Sequence, residues 1–146
     1  MTLDATIKST TNATLTKVGS LGNGQAPVSE IYSIKFSDDD VSLLYSKRNT
    51  LVATSDNLTV NDDSLTDFFG EPLTFVTVRH IQVVNKDATH NLIVGGGSNS
   101  LIPAITLGAN GCLNLTTAIT VSGSAKLLKI DAGANTVQYD VIILGE

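Results

Sequence analysis

Residues Thr136 to Leu144 read TVQYDVIIL, with Val137, Tyr139, Val141 and Ile143 on one parity and Thr136, Gln138 and Asp140 on the other. A period of two is the period of a β-strand, whose successive side chains point to opposite faces, whereas an α-helix would spread these four apolar residues around its circumference. The second parity turns apolar at Ile142 and Leu144. The strand is therefore expected to begin on a sheet surface and to end covered on both sides.

Short runs of the same kind, rich in β-branched residues, recur along the chain. They cover Ala5 to Ser9, Ala13 to Val18, Glu30 to Phe36, Val41 to Tyr45, Thr50 to Thr54, Asn57 to Val60, Asn91 to Val94, Leu101 to Thr106, Cys112 to Thr116, Ala118 to Val121 and Lys126 to Ile130. The longest candidate, Leu73 to Asn85, is apolar on both parities, with Leu73, Phe75, Ile81 and Val83 against Val76, Val78 and Val84. It is expected to be central, or to cross from one environment to another. Turn residues punctuate these runs at Asn23-Gly24, Gly95-Gly96-Gly97-Ser98, Asn110-Gly111 and Asp131 to Asn135. One segment suggests a helical turn: Ser64 can cap it, and Gly70 followed by Pro72 ends it.

Many short strands, Gly-rich turns and almost no helix predict an all-β fold: a compact antiparallel β-sandwich or barrel, jelly-roll-like, with at most one short helical turn near Ser64 to Gly70. Residues 1–146 are expected to form a single β-domain. The more polar residues 1–28 are expected to serve as an N-terminal arm or an edge-strand pair.

Nine Lys and Arg stand against fourteen Asp and Glu, a net charge of −5, and no basic cluster occurs. That balance argues against a nucleic-acid partner, because phosphate binding needs a positive footprint. The longest uninterrupted apolar run is Val141 to Leu144, far short of the roughly 20 residues of a membrane helix, so no membrane partner is expected. The polar start of the chain predicts no secretory signal.

Chemistry-bearing residues are sparse. Cys112 is the only cysteine, and it is expected to be a small buried residue in a strand. His80 and His90 each stand without a spaced partner of the kind zinc sites use. Asp38-Asp39-Asp40 and Asp62-Asp63 lack the spacing of a calcium loop and read as solvated turns. Gly95-Gly96-Gly97-Ser98 lacks the Lys of a phosphate loop. The reading is no enzyme, no catalytic residue, no cofactor and no metal site. For a sugar platform the aromatic supply is thin: Phe68, Phe69, Phe75 and Tyr139 are expected to pack inside, leaving Tyr32 and Tyr45 as candidate exposed rings.

From about Leu43 onward the chain resembles a group of small β-rich virion structural proteins of tailed bacteriophages, of the capsid decoration or cement type. The residues that carry the resemblance, in order, are Asn49 to Ala53, Asn57 to Val60, Ser64 to Gly70, Leu73 to Ile81, Asn91 to Gly97, Leu107 to Gly111, Ser122 to Ile130 and Val137 to Gly145. The resemblance implies a head decoration protein, made in the host bacterial cytoplasm, that binds the assembled capsid exterior as a homotrimer and stabilises it, with the major capsid protein as partner. The alternative is a tail or fibre module that binds a host surface glycan, with Tyr32 and Tyr45 as its rings.

Overall fold

The computed structural model describes residues 5–19, 22–36 and 41–146. The chain divides into two compact units, Met1–Asp39 and Asp40–Glu146. In the first, strands β1 (Ala5–Gly19) and β2 (Gly22–Phe36) pair antiparallel along their whole length, from Ala5 opposite Phe36 to Gly19 opposite Gly22. Asn23-Gly24, expected as a turn, lies inside β2 opposite Val18 and Lys17. The reason is register: a turn at Asn23-Gly24 would end β1 later and break the pairing that runs on to Gly19 and Gly22.

The second unit contains β3 (Leu43–Val52), β4 (Ser55–Thr59), β5 (Leu65–Thr66), β6 (Pro72–Leu73), β7 (Thr77–Asn85), β8 (Leu92–Val94), β9 (Ile105–Leu107), β10 (Cys112–Thr120), β11 (Leu127–Asp131) and β12 (Thr136–Gly145). Two four-stranded antiparallel sheets form, one in the order β10-β7-β12-β3 and the other β4-β11-β8-β9, while β5 and β6 make a small hairpin. If the eight sheet strands are numbered one to eight along the chain, the two sheets read 6-3-8-1 and 2-7-4-5. That is the double Greek-key order of a jelly roll, and the expected all-β sandwich is the fold observed.

The core lies between these sheets. Val137, Tyr139, Val141 and Ile143 of β12 are buried, as the alternation predicts, beside Ile81 and Val83 of β7. Opposite them stand Leu58, Leu128, Ile130, Leu92, Val94 and Leu107 of the second sheet. At its far end β12 is covered on its other parity too, since Leu144 is buried.

Strand β7 is central, flanked by β10 and β12, and its inward parity changes along its length. Val78 faces the core at one end and Ile81 and Val83 at the other. The pairing with β12 steps from His80–Leu144 to Val78–Gly145, leaving Arg79 as the extra residue of a bulge. Arg79 uses the bulge to reach the Glu146 carboxylate at 2.7 Å. Gly145 is required there: a Cβ would run into the carbonyl of Thr77 and the ring of Phe75.

Three local expectations change. Leu73 to Asn85 is not one strand: Phe75 donates its N–H to the carbonyl of Val60, and Val76 to that of Glu146, which divides β6 from β7. Val41 to Tyr45 and Thr50 to Thr54 belong largely to one strand, β3, whose polar middle, Ser46 to Asn49, pairs with Tyr139 to Ile142. Around Ser64 there is a hairpin, not a helical turn. Ser64 gives its hydroxyl to the Thr59 carbonyl, Leu65 and Leu73 pair and bury, and the chain reverses over Asp67 to Gly70.

Candidate functional site

The outer face of the β10-β7-β12-β3 sheet is built in rows by the register. One row aligns Thr116, His80, Leu144 and Leu44, the next Asn114, Gln82, Ile142 and Ser46, and the third Cys112, Val84, Asp140 and Arg48. Polar pairs tie the rows across strands. His80 Nδ1 lies 2.8 Å from Thr116 Oγ1, and Gln82 donates to Asn114 at 2.6 Å. Arg48 grips Asp140 with both arms, at 2.6 and 2.8 Å, and this grip holds the Asp140 carboxyl below its usual range.

Between these rows runs a shallow groove of about 360 Å³, lined by Ser46, Lys47, Arg48, Gln82, Val84, Asp140 and Ile142. Its floor is half apolar, through the partly exposed Val84 and Ile142, and the paired Arg48 and Asp140 stand at its edge.

The histidines are separate features. His80 is buried in the sheet, and that burial lowers its pKa. His90 is exposed in the loop after β7, with Nδ1 3.1 Å from Asp87. Asp87 accepts the backbone N–H groups of Thr89 and His90, which hold its carboxyl down at about 2. Among the described residues no three His, Cys, Asp or Glu stand close enough to hold a metal ion. Residues Asp38 to Asp40 lie outside the described residues.

Four positions differ from expectation. Cys112 is exposed, because it sits on the outer face of β10, an edge strand; partial cover of its sulfur still pushes the thiol pKa up, so the residue is not an activated nucleophile. Tyr45 is buried, and burial with the nearby Asp56 pushes its phenol up to about 12. It belongs to a clasp between the sheets, in which Tyr139 donates its hydroxyl to Asp56 at 2.8 Å and Asn49 donates to the same carboxylate at 3.1 Å. A sugar platform cannot use Tyr45, and the side chain of Tyr32 lies outside the described residues.

Phe68 and Phe69, expected inside, are 97% and 71% exposed. They stand at the tip of the β5–β6 hairpin and touch each other edge to face, with ring centroids 5.7 Å apart. The Asp67 carboxylate fixes this tip by accepting the N–H groups of Phe69 at 2.7 Å and Glu71 at 2.9 Å, and Gly70 takes a φ of +88° that favours glycine. A signal for this was present. Adjacent residues in extended chain cannot both face one core, and Phe68-Phe69 sits between Asp67 and Gly70-Glu71-Pro72, a turn sequence.

The comparisons add no relative: no protein-family model matches the chain, and no curated protein or solved structure is significantly similar to it.

Proposed function

We propose that this chain is a virion structural protein of a tailed bacteriophage, a head decoration protein that binds the assembled capsid exterior as a trimer and stabilises the shell. The observation that carries the reading is the exposed Phe68-Phe69 pair on a hairpin anchored in a jelly roll. Two adjacent aromatic rings in water are an unfavourable surface until a partner covers them, and aromatic residues are enriched where proteins bind proteins. The resemblance of residues from about Leu43 onward to virion proteins supplies the kind of partner. A stiff β-sandwich suits the task, because a rigid subunit that spans neighbouring capsomers forces several contacts to break together before a shell can open.

The test is co-sedimentation of purified protein with undecorated shells, combined with the temperature at which those shells open. Bound protein and a raised opening temperature are expected. A protein that never co-sediments with shells sinks the proposal, and binding on a glycan array in its place would favour the tail or fibre reading.

A further inference from the structure

The net charge of the chain resides in one stretch. Residues 49–78 contain Asp56, Asp62, Asp63, Asp67 and Glu71 and no Lys or Arg, while outside them nine Asp and Glu stand against nine Lys and Arg. Asp56 is engaged with Tyr139 and Asn49 in the clasp between the sheets. The other four carboxylates belong to the β5–β6 hairpin and its base, and among the described residues none of them has a cationic partner. Asp67 accepts the N–H groups of Phe69 and Glu71 at the tip, and Asp63 accepts the hydroxyl of Thr74 at the base. Only four residues separate Asp63 from Asp67, at most roughly 13 Å at about 3.3 Å per residue. The two exposed rings therefore project from a uniformly acidic mount.

Two rings make the centre of a contact and not the whole of it. An aromatic side chain buries roughly 150–250 Å², whereas a stable interface takes about 800 Å² from each partner. A partner that covers Phe68 and Phe69 therefore also meets the flanks of the hairpin, and those flanks carry Asp67 and Glu71. Carboxylates pressed against a neutral or acidic surface lose water and gain no partner. Nucleic acid and anionic membranes repel them outright. Another copy of the chain is a poor match as well. Away from this stretch its charges balance, and Arg48, Arg79 and Lys129 are already held by Asp140, Glu146 and Asp131.

We infer that the hairpin docks into a pocket of a partner protein that has an apolar floor and a rim of Lys or Arg, with Phe68 and Phe69 on the floor and Asp62, Asp63 and Glu71 facing the rim. The inference rests on the decoration role proposed above and specifies what the shell presents to the hairpin. Rings and collar act on different steps. The buried rings set how long the contact lasts, because truncating a central aromatic acts mainly on dissociation. The collar sets how fast it forms, because opposite charges steer the encounter by a factor of about 10 to 1,000, an effect that salt removes.

The test uses undecorated shells immobilised on a sensor surface, with association and dissociation rates read from about 0.01 M to about 1 M salt, a range over which the screening length falls from about 30 Å to about 3 Å. Three proteins are compared: the wild type, a ring variant carrying Phe68→Ser and Phe69→Ser, and a collar variant carrying Asp62→Asn, Asp63→Asn and Glu71→Gln. Asp67 is left intact because it holds the tip. All five substituted positions are exposed, and unchanged thermal melting checks that both variants fold. The wild type is expected to associate on the order of 10-fold faster at low salt than at high salt. At low salt the collar variant is expected to associate on the order of 10-fold more slowly than the wild type, and at high salt to match it, with dissociation little changed. The ring variant is expected to dissociate on the order of 30-fold faster at every salt concentration. Wild-type association that does not slow with salt, or a collar variant that equals the wild type at low salt, overturns the basic rim and leaves shell binding standing. A ring variant that binds like the wild type removes the hairpin from the contact. A wild type that binds shells at no salt concentration refutes the decoration role, and the docking pocket with it.

Discussion

Two loops of the jelly roll are organised by the same device and put to opposite ends. In the β7–β8 loop the Asp87 carboxylate accepts the N–H groups of Thr89 and His90; at the β5–β6 tip the Asp67 carboxylate accepts those of Phe69 and Glu71. Around Asp87 the backbone is tied to a buried side chain. Asn85, buried, donates to the carbonyls of His90 at 2.8 Å and Gly108 at 2.9 Å and accepts the N–H of Asp87 at 3.0 Å, so one amide joins the end of β7 to two loops. Around Asp67 the turn is just as well bonded, yet the residues it presents are Phe68 and Phe69 in solvent. An Asp-centred turn fixes backbone shape only; whether the loop becomes part of the core or a projecting surface depends on what the neighbouring residues can reach.

The comparison breaks most visibly at Asn85. Asn85→Ala removes a buried amide and leaves two carbonyls and the Asp87 N–H without their partner, and each such group costs roughly 1–3 kcal/mol where water does not replace it. A destabilisation of about 3 kcal/mol or more is expected from denaturant unfolding, enough to lower Tm by on the order of 10 °C. A change under 1 kcal/mol would mean that this loop cluster is no more anchored than the hairpin tip.

Acid acts on the same cluster with a definite sign. The folded pKa of Asp87, about 2, lies below its ordinary 3.8, so its contribution to stability is complete above 3.8 and is lost as the pH falls from there to about 2. Asp131 and Asp140, also held down by their partners, add slopes of their own. Comparison with Asp87→Asn, which keeps an acceptor oxygen but no charge, isolates the Asp87 share. Unfolding curves between pH 5 and about pH 2 should fall more steeply for the wild type than for the variant. Parallel curves would show that the two N–H donors do not favour the charged form.

At the tip, Asp67→Ala removes the acceptor for two exposed N–H groups, which water can replace. Its expected cost to global stability is about 1 kcal/mol, less than that of Asn85→Ala. Binding to shells should suffer more than folding does, because the rings lose the turn that holds them in place. Equal losses in both measurements would mean that the turn holds the fold and not the rings.

How much of this could be read from residues follows from the same physics. Parity along one strand is local, so the inward set Val137, Tyr139, Val141 and Ile143 and the central position of β7 were legible before any partner was known. Pairing is not local. Lys47 and Arg48 look like the middle of a loop until β12 supplies Val141 and Asp140 opposite them, and only that register creates the groove. Cys112 and Tyr45 misled for one reason: both sit on edge strands, where a residue's surroundings depend on which face it takes, and composition carries no face. At Phe68-Phe69 hydrophobicity argued for the core while turn chemistry argued for the surface, and the turn prevailed because Asp67 and Gly70 fix the reversal before the rings can choose a side.

The smallest effect on stability is expected where the effect on association is largest. Phe68 is 97% exposed and its ring meets that of Phe69 edge to face. Phe68→Ser therefore removes almost no buried area, and an exposed substitution away from caps, cavities and networks stays within about 0.5 kcal/mol. If unfolding by urea shows no change while co-sedimentation with shells is lost, the rings contribute to contact with the shell and not to the fold. A loss of 2 kcal/mol or more, the scale of an emptied core site, would mean that Phe68 packs against its own jelly roll, and the contrast between the two loops would vanish.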